Sequence, residues 1–399
     1  MQSTESLARE IRLLVDRRRP DTLATLRELV AIDSGSYDPQ GVDRVGDVLE
    51  REWGSLGFSC ESHPLAGYGS RRLFRRRFGG RGRVLLVGHL DTVWPAGACN
   101  EWPYREADGV ASGPGVGDMK GGLVMACEAV RALLQIGLDT CEEITHILVP
   151  DEELGSPGSR AWIETQARAA DAVLVLEPAR ADGSVVAARG AVGALVVRAL
   201  GVSAHTMHLR EGASALRALA DRVAPLEDLT DLNEGILVNV GVLKAGDARQ
   251  VVPAAAEMHV DLRARNDSAA AMLLARVFGI LRAPGDPRVT VEISGGITRP
   301  AFPRTASAAL LNEASRAAAA LDIPYTAVES GGGSDGSFAA ALGRPTLDGL
   351  GPICLDPCSR RERIVIDSLF DRAAILGSLM ANVPGLGPSN STGEVSWDC

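Results

Sequence analysis

The run Val84-Leu85-Leu86-Val87 is apolar at every position. A strand with one wet face alternates polar and apolar residues, so a run without alternation reads as a strand buried on both faces. Glu143 to Val149 and Ala172 to Leu176 are apolar strand runs as well. Between the first two lies Leu123 to Leu134, rich in Ala and Leu and opened by Gly121-Gly122, which reads as a helix. Strands and helices in alternation build an α/β sheet with parallel members, flanked by helices. Helical spacing also marks residues 1–19, 21–31 and 41–57.

The character changes near Arg189-Gly190. Strand patterns at Ala191 to Leu200, Leu237 to Leu243, Ala254 to Ala264 and Arg288 to Ser294 alternate with helices at Ala213 to Val223 and Ser268 to Leu281. Strand-helix-strand-strand-helix-strand is the ferredoxin-like order. After Pro300 the α/β pattern resumes, with a helix at 305–321, strands near 325–328 and 345–347, and a helix at 367–382. A chain of 399 residues exceeds one ordinary core. The expected layout is a discontinuous domain, 1–188 with 299–399, carrying a mixed and mainly parallel sheet. An α+β domain at 189–298 is inserted into it. The tail from Pro384, rich in Gly, Ser and Pro, reads as a poorly ordered terminus.

Charge narrows the partners. The net charge is −10, and the one arginine cluster, Arg71, Arg72, Arg75, Arg76 and Arg77, reads as the solvated face of a hairpin. No nucleic-acid partner is expected. No run approaches a membrane span, and no apolar signal core opens the chain. Seven scattered cysteines fit reduced thiols in a cytoplasm better than a disulfide framework.

Open α/β sheets take ligands at the carboxyl ends of their strands. His89 and Asp91, then Glu152 and Glu153, then Glu177, each follow an apolar strand run, and Asp118 follows a glycine-rich turn. Any one of these alone is more often a loop carboxylate or a capped turn. Together they supply an imidazole and several carboxylates, the donors a divalent metal needs to activate water. Glu152 and Glu153 are sequence neighbours, so an extended backbone would aim them oppositely; a turn must bring both into one cleft.

These residues lie in six motifs, in this order: Gly88-His89-Leu90-Asp91-Thr92-Val93, Gly113 to Gly122, Asp151-Glu152-Glu153, Leu176-Glu177-Pro178, Ser203-Ala204-His205 and Gly349-Leu350-Gly351-Pro352. Over residues 22–382 the chain resembles the zinc-dependent aminoacylase, glutamate carboxypeptidase and succinyl-diaminopimelate desuccinylase hydrolases. The resemblance implies a catalytic α/β domain with an inserted lid or dimerisation domain, and one or two divalent ions (zinc, manganese or cobalt). It makes His89 and Glu177 ligands of one ion, Asp118 the bridge, Glu153 a ligand of the second, Glu152 the general base and Asp91 the partner of the His89 imidazole. It gives His205 the developing oxyanion of a neighbouring subunit's site, hence a homodimer or higher homo-oligomer. Asn239 and Arg263 are implied to face a small-molecule substrate, Arg263 by gripping the substrate's carboxylate; Gly332 and Ser334, in the glycine-rich run Gly331 to Asp335, are further candidate substrate contacts.

Two departures from the family pattern stand out. Cys358 occupies the place of a metal-binding histidine, and no histidine follows His259. Cys358 is therefore either a thiolate ligand, with Cys354 or Asp356 as substitutes, or a small buried residue. Gln250 stands where an asparagine is expected. His208 is a further candidate beside a plain surface reading, and Gly331 to Asp335 is either a backbone nest or a helix-opening turn. The expected activity is hydrolysis of a C–N bond in a small carboxylate-bearing substrate, peptide-like or N-acyl amino acid. The alternatives are hydrolytic deamination of an aromatic amine, as in the resembling 5-nitroanthranilate aminohydrolase, and a non-catalytic binding relative.

Overall fold

The apolar runs form the centre of a six-stranded sheet in a computed structural model that describes residues 4–137 and 140–383. Its order is Ser59–Leu65, Gly69–Arg77, Glu143–Val149, Arg83–His89, Ala172–Val175, Thr346–Leu347. The last four strands are parallel; the first two form an antiparallel hairpin on one edge. Both faces are covered, as the unbroken hydrophobicity requires. Val84, Leu86, Ile144 and Leu174 enter one core with the helices Gly122–Ile136 and Ile366–Asn382. Leu85, Val87, Ile147 and Val175 enter another with Ile163 and Phe338.

The hairpin corrects one expectation. Arg72 is not on a solvated face: its side chain is only 8% exposed, with Nη2 2.7 Å from Asp47 and Nη1 2.8 Å from Glu50. The strand lies against the helix Pro39–Ser55, whose acidic residues reach it.

His146, in the middle of Glu143–Val149, is fully buried, its ring 4.9 Å from that of Trp53. Neither ring nitrogen has a hydrogen-bond partner among the described residues. Burial pulls its pKa from 6.5 to about 3. The imidazole therefore stays neutral in the folded chain while the unfolded chain takes up a proton. This contribution to stability is complete above pH 6.5 and falls by about 1.4 kcal/mol per pH unit below it, until the folded pKa is reached. Urea unfolding at several pH values checks this: His146→Phe should flatten the acid-side slope by one proton's worth, and an unchanged slope would count against it.

The chain divides into two compact units, Met1–Ala187 with Arg304–Val328 and the region from Phe338 onward, and Ala188–Pro303 with Glu329–Ser337. The second unit carries a four-stranded antiparallel sheet in the order Leu237–Ala245, Ala255–Ala264, Ala191–Leu200, Thr290–Arg299. Its helices are Ala215–Glu227 and Asp267–Leu281. In chain order the strands lie second, third, first, fourth, the ferredoxin-like arrangement. Met258, Val260 and Leu262 are buried, while His259, on the other face, is exposed. Residues 329–337, expected with the 299–399 segment of the first domain, pack instead within the second unit. Two arginines account for this: Arg189 donates to the carbonyls of Gly332 (2.9 Å) and Gly333 (3.2 Å), and buried Arg299 pairs with buried Asp335 at 3.2 Å. The expected disordered tail from Pro384 lies outside the described residues. No described helix is long and apolar enough to cross a membrane.

Candidate metal centre

Three adjacent parallel strands deliver their chemistry at the same edge of the sheet. Arg83–His89 ends on His89; Glu143–Val149 leads into Glu152 and Glu153; Ala172–Val175 leads to Glu177. The two neighbouring glutamates sit in a short 3-10 turn, Glu152–Leu154, the turn their shared use requires. Asp91 holds that turn from below. Its Oδ1 accepts from Glu152 N (3.2 Å), and its Oδ2 accepts from Glu153 N (3.1 Å) and Ser36 Oγ (2.7 Å).

The His89 imidazole is buried between these groups. Its Nδ1 lies 2.9 Å from the Asp91 carbonyl oxygen and 3.4 Å from the Asp91 carboxylate. The expected orienting contact is thus made mainly through the Asp91 backbone, because its carboxylate is engaged by the turn. The opposite nitrogen, Nε2, faces Asp118 Oδ1 at 3.0 Å and Glu177 Oε1 at 3.7 Å. Burial alone would lower the His89 pKa; hydrogen bonds to Asp118 and Asp91 and the charge of Glu177 outweigh it and raise it.

Asp118 comes from the glycine-rich loop, in the turn Val116–Gly121, and its peptide bond to Met119 is cis. The following helix starts on Gly122, where the Leu176 carbonyl oxygen would lie 2.3 Å from a Cβ and leaves room only for glycine. Cys358 Sγ lies 3.4 Å from Asp118 Oδ2, so the residue at the histidine position does reach the cluster. The residue is exposed, so the reading of a small buried residue fails; partial desolvation of the sulfur, then the charges of Asp118 and Glu153, raises its thiol pKa.

Glu362 is a contributor the sequence reading missed. Its buried Oε1 accepts from the backbone N–H of Gly117 (2.8 Å) and Asp118 (3.1 Å), fixing the loop that carries Asp118. Burial pushes its pKa up to about 7. The only signal was position, four residues past Cys358.

Two donor sets emerge, His89 with Glu152 and Glu177, and His89 with Asp118 and Glu153, each with ligand atoms within 4.8 Å of one another. These residues fit a divalent cation. Glu153 Oε1 is buried and without a hydrogen-bond partner among the described residues. Burial and then the charge of Asp118 raise the pKa values of both Glu153 and Glu177. Several carboxylates crowded out of water around one imidazole repel one another until a cation joins them.

The remaining expected residues lie in the second unit. His205 is exposed, its Nδ1 accepting from Met207 N at 3.2 Å. Asn239 is exposed on the strand facing Asp261. Ser334 is buried, its hydroxyl accepting from Gly336 N. Arg263, expected to grip a substrate carboxylate, is here held by Asp261 through Nε (2.9 Å) and Nη2 (3.1 Å), and its Nη1 donates to Gly331 O (2.9 Å).

Comparison with known proteins agrees with this geometry. Residues 85–382 match peptidase family M20/M25/M40. Carboxypeptidase G2 of Pseudomonas sp. (strain RS-16) is 31% identical over 341 residues, 84% of this chain and 82% of that protein. Acetylornithine deacetylase of Salmonella arizonae is 29% identical over 264 residues, 61% of this chain and 68% of the relative. Among solved structures, aminopeptidase PepT from Bacillus cereus ATCC 10987 aligns with a TM-score of 0.73 at 20% identity, covering 92% of this chain and 98% of that one. With the family match spanning most of its length, the chain belongs to peptidase family M20/M25/M40 and is a metal-dependent hydrolase of carbon–nitrogen bonds.

Proposed function

We propose that the chain hydrolyses the amide bond of an N-acyl amino acid or short peptide that carries a free carboxylate. The observation that supports this most is Glu152, held by its backbone to Asp91 beside the His89 and Glu177 donors. A bound divalent ion would supply Lewis acidity there, acidifying water and polarising the carbonyl. His89, Asp118, Glu153 and Glu177 would hold it, and Cys358 next to Asp118 would complete the donor set as a thiolate, giving up its proton on metal binding. Glu152 takes the proton from the attacking water and passes it to the leaving nitrogen. Asn239, Arg263, Gly332 and Ser334 position the substrate, and Arg263 exchanges Asp261 for the substrate carboxylate. His205 of a second copy donates to the developing oxyanion.

A substrate panel tests the reaction class. With zinc, manganese or cobalt supplied, free amino acid should appear from N-acyl amino acids or dipeptides. Ammonia released from an aromatic amine instead would overturn the proposal. Subunit mixing tests His205. His205→Ala and Glu152→Gln are each expected to be nearly inactive. Randomly mixed dimers of the two should regain about a quarter of the wild-type rate, because half are hybrids with one complete site each. No recovery in verified hybrids would remove His205 from the shared site.

A further inference from the structure

The turn that carries Glu153 is also a wall of a cavity of about 510 Å³ within the first unit, formed with residues 35–38 and 92–96. Glu153 is shared between this wall and the donor set of His89 and Asp118. Its other surface is largely apolar, with Val93, Trp94, Pro95, Leu154 and Tyr37 contributing. Val93 is 46% and Tyr37 76% exposed, in a chain with only 4% aromatic residues. Trp94 is fixed from outside the cavity. It lies edge-on to Trp102 at 5.3 Å, and the Arg360 guanidinium stands 5.6 Å from its ring. The two loops are clamped together at Gly35, which bridges to Thr92; a Cβ on Gly35 would meet the Trp94 carbonyl oxygen at 2.5 Å.

The charge pattern defines what fits. No lysine or arginine lines the cavity; its ionisable side chains are Asp38, Tyr37 and Glu153. Asp38 caps a helix by accepting from Gly41 N. An anionic group would be repelled here, whereas a neutral flat group would cover the exposed ring and aliphatic surface. We propose that this cavity is the subsite for the acyl side of the substrate and takes a neutral aromatic or bulky apolar group rather than acetyl or a charged chain. The proposal rests on the N-acyl reading above for its place in the reaction, but not for ligand binding itself.

Two measurements keep the claims separable. In the first, kcat/KM is compared for benzoyl and acetyl derivatives of one amino acid. Benzoyl should be preferred by about tenfold or more. Trp94→Ala should erase that ratio and Trp94→Phe retain much of it. Val93→Lys should shift preference toward succinyl. Equal use of benzoyl and acetyl, a ratio indifferent to Trp94→Ala, or preference for a cationic acyl group would overturn the subsite. In the second, saturation-transfer NMR follows neutral benzamide and acetamide on the metal-free protein. Benzamide alone should bind, and Trp94→Ala should abolish it. If no N-acyl substrate is turned over but benzamide binding depends on Trp94, the reaction class is wrong and the subsite stands. If benzamide does not bind, the subsite is wrong whatever the reaction.

Discussion

Glu152→Gln lowers kcat by about 10²–10⁴-fold while KM changes little. Glutamine has nearly the same size, and the backbone N–H that anchors residue 152 to Asp91 is untouched. The Glu152–Leu154 turn therefore persists, and with it the placement of Glu153. What disappears is a basic oxygen able to accept a proton from water and return it to the leaving nitrogen. An amide oxygen can still act as a donor to a cation, so ion binding and thermal stability should stay close to wild type. Steady-state kinetics with measured metal content checks the result. A variant that loses its ion along with its rate would make Glu152 a ligand first; a variant with full turnover would remove it from the chemistry.

Asp118→Asn should abolish the stabilisation that a divalent ion confers. The Asp118 carboxylate faces His89 Nε2 and Cys358 Sγ, and its charge raises the pKa values of both Glu153 and Glu177. It is thus the group that most increases repulsion in the ion-free cluster and contributes most attraction for a cation. For wild type, an ion at 100 times its Kd stabilises the fold by about 2.7 kcal/mol, seen as a higher Tm. The asparagine variant should show little rise, and its ion-free Tm should equal or exceed that of ion-free wild type. A purely structural Asp118 would behave differently, with the variant less stable in both states.

The sheet was legible because its physics is local. A strand buried on both faces is apolar at every position, and Val84 to Val87 and Ala172 to Val175 showed it; the buried faces of Ala255–Ala264 showed equally well through alternation. The donors that end strands were legible for the same reason, since topology places strand ends together. What escaped depends on packing between distant segments. Arg72 looked solvated until the helix Pro39–Ser55 brought Asp47 and Glu50 to it. Glu362 carries no pattern of its own, and its role comes from two backbone N–H groups over 240 residues earlier. Residues 329–337 follow the first domain's pattern in the chain yet are held by Arg189 and Arg299 of the second unit. In the same way nothing in the pattern paired Arg263 with Asp261, two residues earlier on its own strand.

Elemental analysis of the purified protein after equilibration with zinc and exhaustive dialysis against metal-free buffer addresses the central point. At least one ion should remain per chain in the wild type and essentially none in Asp118→Asn, with His89→Ala behaving like the latter. Equal ion content in all three proteins, or none in the wild type, would contradict a cation held by His89, Asp118, Glu153 and Glu177.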